Sequence, residues 1–235
     1  ASTNAVIANS AGAVTASTTA TTAQAATIAA FGQAVVYNVS GTAAEIAAAS
    51  AGARNEAVNI TITGDATIAQ ATTAEDASNS GTVTVGTISD TATLIAASTN
   101  AVIANSAGAV TASTAATVAE ATTIDAFAKA VVFAVSDTAT AIAASSNDAL
   151  DEATTVTAST TATTAQAATI AAFSQAVVYN VSGTAAEIVA ASAGARNEAV
   201  NITITGDATI AQATTAEGAT NSGSVVVGTI TDTAA

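Results

Sequence analysis

The chain alternates between short β-branched runs and longer alanine-rich runs. In the runs 35–39 and 58–62, large apolar residues recur at every second position, which is typical of a strand with one buried face. An alanine-rich stretch from Thr42 to Ala57 follows the first run, and alanine is the strongest helix former. The pattern therefore predicts a strand, a turn and then a helix of about 12 residues.

This strand–turn–helix pattern recurs along the whole chain. Residues 15–92 and 157–234 align without a gap and differ at seven positions, and residues 1–20 match 97–116 except at Thr19 and Ala115. Within these copies the phrase [V/I/A]-[S/T]-x-[T/D/A]-A returns every 23 to 26 residues, which indicates a repeat protein. We predict that residues 1–235 form a single repeat array without separate domains. The Ser or Thr of the phrase lies at positions 17, 40, 63, 89, 113, 136, 159, 182, 205 and 231.

Ten such units predict a parallel sheet, because a strand, a helix and a second strand are joined by a right-handed crossover. We expect an α/β fold, namely a right-handed α/β solenoid in which the units stack into one parallel sheet. The alternative is an all-β solenoid in which the Thr-rich parts of the alanine runs are further strands. The α/β version is favoured because alanine is depleted in strands.

Spacing within the units predicts helix starts and a buried helix face. Thr42 is followed three residues later by Glu45, which is the spacing of a capping box. Large apolar residues such as Ile142 and Leu150 recur at helical spacing and predict one buried face on each helix. Positions equivalent to Thr42 are held by Asp65, Thr91, Asp207 and Thr184, the last with Glu187.

The copies also match across the two ends of the sequence. Residue 1 corresponds to position 97 and residue 235 to position 93, so joining the ends rebuilds a unit that lacks equivalents of 94–96. We therefore expect either a segment of a longer repetitive chain or a chain that associates with copies of itself, end to end or laterally.

Composition excludes most kinds of chemistry. The chain has no His, Cys, Met, Trp or Pro, and 3 Lys+Arg against 17 Asp+Glu give a net charge of −14. Without imidazole or thiol groups we predict no enzymatic activity and no cofactor. Three cations cannot neutralise a run of phosphates, so nucleic acid is not expected as a partner. Apolar stretches end well before about 20 residues, which predicts no transmembrane segment.

Strand residues that point away from the helices form two polar columns, which we call the hydroxyl columns. Strands repeat at about 4.8 Å, so the columns resemble the ice-contacting face of threonine-rich solenoid antifreeze proteins. An ice- or carbohydrate-binding face is therefore an alternative function, and a solvated strand surface is the simpler interpretation. The first column is Thr15, Asn38, Thr61, Thr87, Thr111, Ala134, Thr157, Asn180, Thr203 and Thr229. The second is Ser17, Ser40, Thr63, Ser89, Ser113, Ser136, Ser159, Ser182, Thr205 and Thr231.

Acidic residues are the candidates for metal binding. Asp148, Asp151 and Glu152 form the densest acidic cluster, and Ca²⁺ prefers carboxylate oxygens, so a weak Ca²⁺ site is a candidate there. Aspartates at the turns are interpreted as helix N-caps, with oxygen ligation of Ca²⁺ as the alternative. These aspartates are Asp65, Asp90, Asp137, Asp207 and Asp232.

The remaining distinctive side chains are interpreted as structural. Tyr37 and Tyr179 occupy matching positions in the two long copies and are predicted to lie in the core. The three cations, Arg54, Lys129 and Arg196, are interpreted as solvated or ion-paired helix ends.

Units of the type Val-Ser-Asp-Thr-Ala-x-x-Ile-Ala-Ala occur at Val135–Ala144 and Ile88–Ala97, and a joining stretch lies at Ala219–Gly223. These pieces resemble tandem repeats of giant bacterial surface proteins, including those of cyanobacteria, and the likeness in repeat style covers essentially the whole chain. The acidic, cysteine-free composition is also similar to that of bacterial surface-layer proteins. The resemblance implies an extracellular or cell-surface location and a non-enzymatic structural role in a surface layer, filament, stalk or adhesin, and it implies no active-site residue.

Overall fold

The computed structural model describes residues 4–233, with side chains from Val6 onward. The chain divides into two compact units. Unit one contains the chain up to Ser113 together with Phe127–Val131, and unit two contains Thr114–Ala126 and the chain from Val132 onward. That residues 1–235 form a single repeat array without separate domains stays a prediction.

The alanine-rich runs are helical. Residues 4–233 contain fourteen helices. No helix within these residues has the length and apolar character needed to cross a lipid bilayer. The helices are α1 Asn4–Ala8, α2 Thr22–Ala29, α3 Ala43–Ala48, α4 Ala51–Asn55, α5 Ile68–Glu75, α6 Ala92–Ala96, α7 Asn100–Ala104, α8 Val118–Asp125, α9 Ala139–Ala143, α10 Asp148–Asp151, α11 Thr164–Ile170, α12 Ala185–Ala190, α13 Ala193–Asn197 and α14 Ile210–Glu217.

Thirteen short strands lie between the helices of the described residues. Three of the predicted strands are split in two, at positions 37–38, 133–134 and 179–180. The strands are β1 Val14–Thr15, β2 Val35–Val36, β3 Val39–Thr42, β4 Ile60–Ala66, β5 Val83–Asp90, β6 Val110–Ala112, β7 Val131–Val132, β8 Val135–Asp137, β9 Val156–Ala158, β10 Val177–Val178, β11 Val181–Thr184, β12 Ile202–Ala208 and β13 Val225–Ile230.

Strands from successive repeats pair in parallel. In unit one β1 pairs with β2, and β3, β4, β5 and β6 follow one another in a sheet. In unit two β9 lies between β8 and β10, and β12 lies between β11 and β13. The predicted α/β class with parallel strands is confirmed, and the all-β alternative is wrong because the alanine-rich runs form helices.

Several of the sequence repeats contain two short helices where the sequence pattern predicts one long helix. Helix α3 ends at Ala48, Ala49 is extended, and the Ser50 side chain accepts a hydrogen bond from the Ala53 amide at 3.2 Å to begin α4. Thr99 likewise begins α7 after α6. A Ser or Thr in mid-run therefore starts a second helix, because its hydroxyl offers an N-cap. Ile142 and Leu150 are both buried as predicted, but they lie on different helices, α9 and α10.

Both predicted capping boxes are present. The Thr42 amide donates to Glu45 Oε2 at 2.8 Å, and the Glu45 amide donates to Thr42 Oγ1 at 3.3 Å. Thr184 and Glu187 form the same pair in unit two. Hydrogen bonds from the threonine amide and hydroxyl lower the pKa of each glutamate below its ordinary value. These contacts satisfy amides that the first turn of a helix leaves without intrahelical partners.

The core consists mainly of Ala, Val and Ile on one face of each strand. Ile60 and Ile62 are buried, whereas Thr61 between them is half-buried and Thr63 is exposed, as period-two alternation requires. Tyr37 and Tyr179 are buried as predicted. Their hydroxyls donate to the carbonyl oxygens of Ala53 in α4 at 2.9 Å and Ala195 in α13 at 3.1 Å, which joins each strand run to the second of the two short helices that follow it.

Tyrosine ionisation tests this burial directly. Burial, with a smaller contribution from the nearby Glu56 and Glu198 carboxylates, raises the pKa of Tyr37 and Tyr179 to about 12. A titration of tyrosinate ultraviolet absorbance should have its midpoint near pH 12 in the native chain and near the unperturbed value of about 10 in denaturant. Because the unfolded chain releases these protons first, the free energy of unfolding should fall as pH rises from about 10 toward 12.

The chain contains two tyrosines and no tryptophan, so this absorbance has a simple assignment. A Tyr37→Phe variant should leave the Tyr179 titration in place. A native midpoint near 10, with the circular dichroism of the folded chain still intact, would contradict the buried environment.

Candidate functional site

The hydroxyl columns occupy accessible positions on the strands. Within residues 4–233, none of the residues in either column is buried. Thr15 and Ser17 are exposed in unit one, and Thr205 and Thr231 are exposed in unit two. The strand face opposite the apolar core is therefore the polar, accessible surface expected from the alternation.

The strand register differs from the repeat spacing, however. Ser40 pairs with Thr61 and Thr42 pairs with Thr63, although the sequence repeat aligns Ser40 with Thr63. Ser182 pairs with Thr203 in the same way in unit two. A residue of the second column thus lies beside a residue of the first column on the next strand, which the repeat spacing did not indicate.

Valines interrupt the polar rows that this register produces. Thr15 pairs with Val36, Thr157 with Val178, and Thr203 with Val226. All three valines are about half exposed. The polar face is therefore less regular than the repeat spacing indicated, and binding of ice or carbohydrate to it stays a prediction.

Asparagine side chains of unit one bind one another across successive repeats. The backbone amide of Asn59 and its Nδ2 group donate to Asn38 Oδ1 at 3.1 and 2.9 Å. Asn59 Oδ1 in turn accepts from the Thr82 amide at 2.9 Å and from Thr82 Oγ1 at 3.0 Å. Three repeats are thus linked through one run of amides, which we call the asparagine ladder. Asn38 belongs to the first hydroxyl column, and its side-chain oxygen is engaged within the protein.

Unit two contains a second asparagine ladder. Asn201 donates from its amide and Nδ2 to Asn180 Oδ1 at 3.2 and 2.8 Å, and Asn201 Oδ1 accepts from Ser224. The sequence pattern of hydroxyl columns does not include Asn59 and Asn201. Their identical spacing of 21 residues from Asn38 and Asn180 is the signal that predicts them.

Aspartates at the ends of strands bind the helix of the preceding repeat. Asp90 Oδ2 accepts from the Ile68 amide at 2.9 Å, which is the first amide of α5, and its Oδ1 accepts from the Thr91 amide at 2.8 Å. Asp137 does the same for Val118 at 3.0 Å and Thr138 at 2.7 Å. Each carboxylate lies beside a helix N-terminus, where negative charge is stabilising.

The interpretation of these aspartates as ordinary N-caps is therefore wrong in detail. Thr91 and Thr138 are the N-caps of α6 and α9, and the aspartate before each one connects that start to an earlier helix. Asp232 makes the corresponding bonds to the Ile210 and Thr233 amides at 3.1 and 2.8 Å.

Asp65 and Asp207 also differ from the prediction. They lie within β4 and β12, and Thr67 and Thr209 cap the helices that follow. The register of β4 shifts between Ile62 and Asp65, next to Gly64 with a φ of 78°. A bulge of this kind uses the left-handed conformation that glycine adopts without steric cost. The strand therefore continues to Ala66, so that Asp65 lies within β4, two residues before the cap Thr67. Thr87 Oγ1 donates to Asp65 Oδ1.

The three cations bind backbone carbonyl groups. Arg54 Nη1 donates to Ile46 O and Ala47 O at 3.2 Å each and also to Ala49 O. Arg196 repeats these bonds at the end of α12, and Lys129 Nζ donates to Ser106 O at 2.7 Å. Arg54 and Arg196 lie in the last turns of α4 and α13, as the interpretation as helix ends requires. The structure adds that all three half-buried cations donate to backbone carbonyls.

The candidate Ca²⁺ ligands are not gathered into one site. Asp148 and Asp151 lie in α10 and Glu152 follows it. Asp151 Oδ1 accepts from Ser174 Oγ at 2.6 Å, and Asp151 Oδ2 accepts from Asn147 Nδ2 at 3.3 Å. Among the described residues, no group of three or more His, Cys, Asp or Glu side chains is placed to hold a metal ion.

Comparisons with known proteins identify no relative. No family model, no curated protein and no solved structure matches the chain.

Asp137, which joins two repeats through the Val118 and Thr138 amides, should contribute measurably to the free energy of unfolding. In an Asp137→Ala variant the first amide of α8 loses its acceptor, so we expect a loss of about 1–2 kcal/mol in the free energy of unfolding. Amide hydrogen exchange at Val118 should accelerate more than exchange in the core strands. Glu152→Ala, which removes an exposed carboxylate of the same unit, is the matched control. Equal effects of the two substitutions would show that the aspartate contributes no specific bond.

Proposed function

We propose that the chain is a non-enzymatic structural repeat segment of an extracellular filament, stalk or surface layer. In this proposal about ten strand–turn–helix units form a right-handed α/β solenoid. Its parallel strands carry hydrogen bonds from each unit to the next, and copy number sets the length. The role is mechanical, because a stack of identical neighbours transmits load through a continuous ladder of backbone hydrogen bonds.

The recurrence of the same repeat-to-repeat bonds in both units is the observation that carries this proposal. Val39 pairs with Ile60 in unit one and Val181 pairs with Ile202 in unit two, and the next strand joins in the same register. Asparagine ladders accompany both sets of strands. A bond pattern that repeats with the sequence is what a stack of interchangeable units requires.

The distribution of polar groups also supports a structural role. Asp90, Asp137, Arg54 and Lys129 all bind backbone groups within the fold. With no His or Cys in the chain, the polar inventory contains neither an imidazole base nor a thiol nucleophile. These four charged side chains serve to satisfy helix ends and turns.

Charge and composition support an extracellular setting for such a structure. A net charge of −14 on 235 residues keeps an alanine-rich chain soluble by mutual repulsion. The chain has three Lys and Arg residues in total, which leaves few cleavage sites for trypsin-like proteases. The likeness in repeat style to bacterial surface proteins agrees with this location.

Removal of one whole 23-residue repeat tests the solenoid. Deletion of residues 136–158 joins Val135 to Ser159 and regenerates the repeat phrase as Val-Ser-Thr-Thr-Ala. We expect this variant to keep the helical circular dichroism per residue and to melt cooperatively at a lower temperature, because stability sums over units and their interfaces. Deletion of residues 136–147, which removes half a unit, should abolish cooperative melting. Equal behaviour of the two deletions would contradict a stack of units.

Electron microscopy of the native material tests the biological role. Antibody-labelled specimens of the cells that make the protein should show label on surface filaments, stalks or a lattice. Label confined to the cell interior, or dispersed single particles in the medium, would overturn the proposed function.

A further inference from the structure

Unit one contains a complete junction between two neighbouring repeats, formed by β5 and β6. Ile88 pairs with Val110 and Ser89 with Thr111, in parallel. The Ala107 amide donates to Val85 O at 2.7 Å, and the Ser113 amide donates to Asp90 O at 2.7 Å. Asn105 Nδ2 also donates to Glu75 Oε2 at 3.0 Å. These contacts define one face on residues 75–90 and a complementary face on residues 102–113.

The same two faces occur a second time in the chain, and there they are open. Residues 217–232 copy 75–90 with changes at five positions, 218, 220, 224, 226 and 231, and residues 6–17 copy 102–113 without a change. Ile88 is 1% exposed in the internal junction, whereas its copy Ile230 is 56% exposed. Val102 is 4% exposed, whereas its copy Val6 is 68% exposed. Apolar side chains that the internal junction buries are therefore accessible in the copies.

The open face near β1 has room for a neighbouring repeat. A groove of about 540 Å³ lies there, lined by apolar residues that include Ile7, Val14, Ile28, Phe31 and Val35. Gly108 in the internal junction is so close to β5 that a Cβ atom on it would lie 2.7 Å from Gly86 O. A Cβ atom on its copy, Gly12, would meet nothing within 4 Å. The space that β5 fills beside Gly108 is thus open beside Gly12.

We propose that β13 of one copy of this chain pairs in parallel with β1 of a second copy, in the register of the internal β5–β6 junction. Ile230 then pairs with Val14 and Thr231 with Thr15, and the Ser17 amide donates to Asp232 O. The second copy is the occupant because residues 6–17 copy 102–113 without a change and residues 217–232 copy 75–90 at all but five positions, and the originals already bind each other within unit one. This inference rests on the proposed function and adds the partner and the register.

The contact is head-to-tail, because the two faces differ. Such a heterologous contact leaves one face of each kind free at the two ends of every assembly, so association continues beyond a dimer unless the arrangement closes. Association between copies should therefore depend on protein concentration.

Disulfide trapping tests the register, since the chain contains no cysteine. A Thr15→Cys chain mixed with a Thr231→Cys chain should form a covalent dimer under mild oxidation, because paired strands lie about 4.8 Å apart and a disulfide spans up to about 7 Å between Cα atoms. Thr229→Cys is the matched control. It exposes a cysteine on the same strand face but two residues out of register, about 8 Å from the partner.

A blocking variant tests the contact without changing the fold of the single chain. Gly12→Val, added to the Thr15→Cys chain, should reduce the yield of covalent dimer by about tenfold, because the new side chain meets the incoming strand. Gly32→Val is the control, since a Cβ atom there also meets nothing within 4 Å and Gly32 lies outside both faces. It should leave the yield unchanged.

Two outcomes would overturn the inference. One is equal trapping of Thr229→Cys and Thr231→Cys, which would indicate random collision of exposed thiols. The other is an absence of covalent dimer together with a single monomeric species in sedimentation at all protein concentrations. If the chain that lacks residues 136–158 still melts cooperatively in that case, the proposed pairing between copies is wrong and the solenoid proposal survives. If both tests fail, the proposed function fails as well.

Discussion

Each repeat carries polar groups whose partners lie in the neighbouring repeat, and the rest of the structure depends on this constraint. The first amide of α5 donates to Asp90, and the Asn59 side chain joins Asn38 to Thr82. The strands themselves pair in parallel with strands of adjacent repeats. An intramolecular hydrogen bond of this kind contributes about 0.5–1.5 kcal/mol to stability. Removal of a neighbour therefore affects several groups at once.

Small side chains make this dependence stronger. The buried residues are mostly Ala, Val and Ile, and the helices are eight residues long or shorter within residues 4–233. Helices of that length are marginal in isolation, since nucleation is costly and stability comes mainly from packing. Caps such as Thr42 with Glu45 and Ser50 with Ala53 define where each helix begins. Contact with the adjacent repeats then holds it in place.

The same arrangement links the fold to the proposed assembly. A strand at the end of a sheet presents unpaired backbone groups, which proteins usually shield. Here the strands β1 and β13 carry the sequence of an internal junction, and Ile230 is exposed where Ile88 is buried. The proposed pairing has a defined register and so differs from nonspecific edge association. Mutual repulsion among chains of charge −14 opposes the nonspecific contacts.

The sequence by itself determined the parallel α/β class, the alternation of buried Ile60 and Ile62 with the accessible Thr61, and the capping boxes. These features depend on the side-chain period and on residues three apart, which a linear pattern contains. Only the tertiary structure decided that Ser40 pairs with Thr61, that Asp90 binds the Ile68 amide, and that Ala49 separates α3 from α4. A strand that slides by two residues keeps the same side chains on its buried face. Period-two alternation therefore cannot distinguish the two registers, and contacts between neighbouring repeats select one of them.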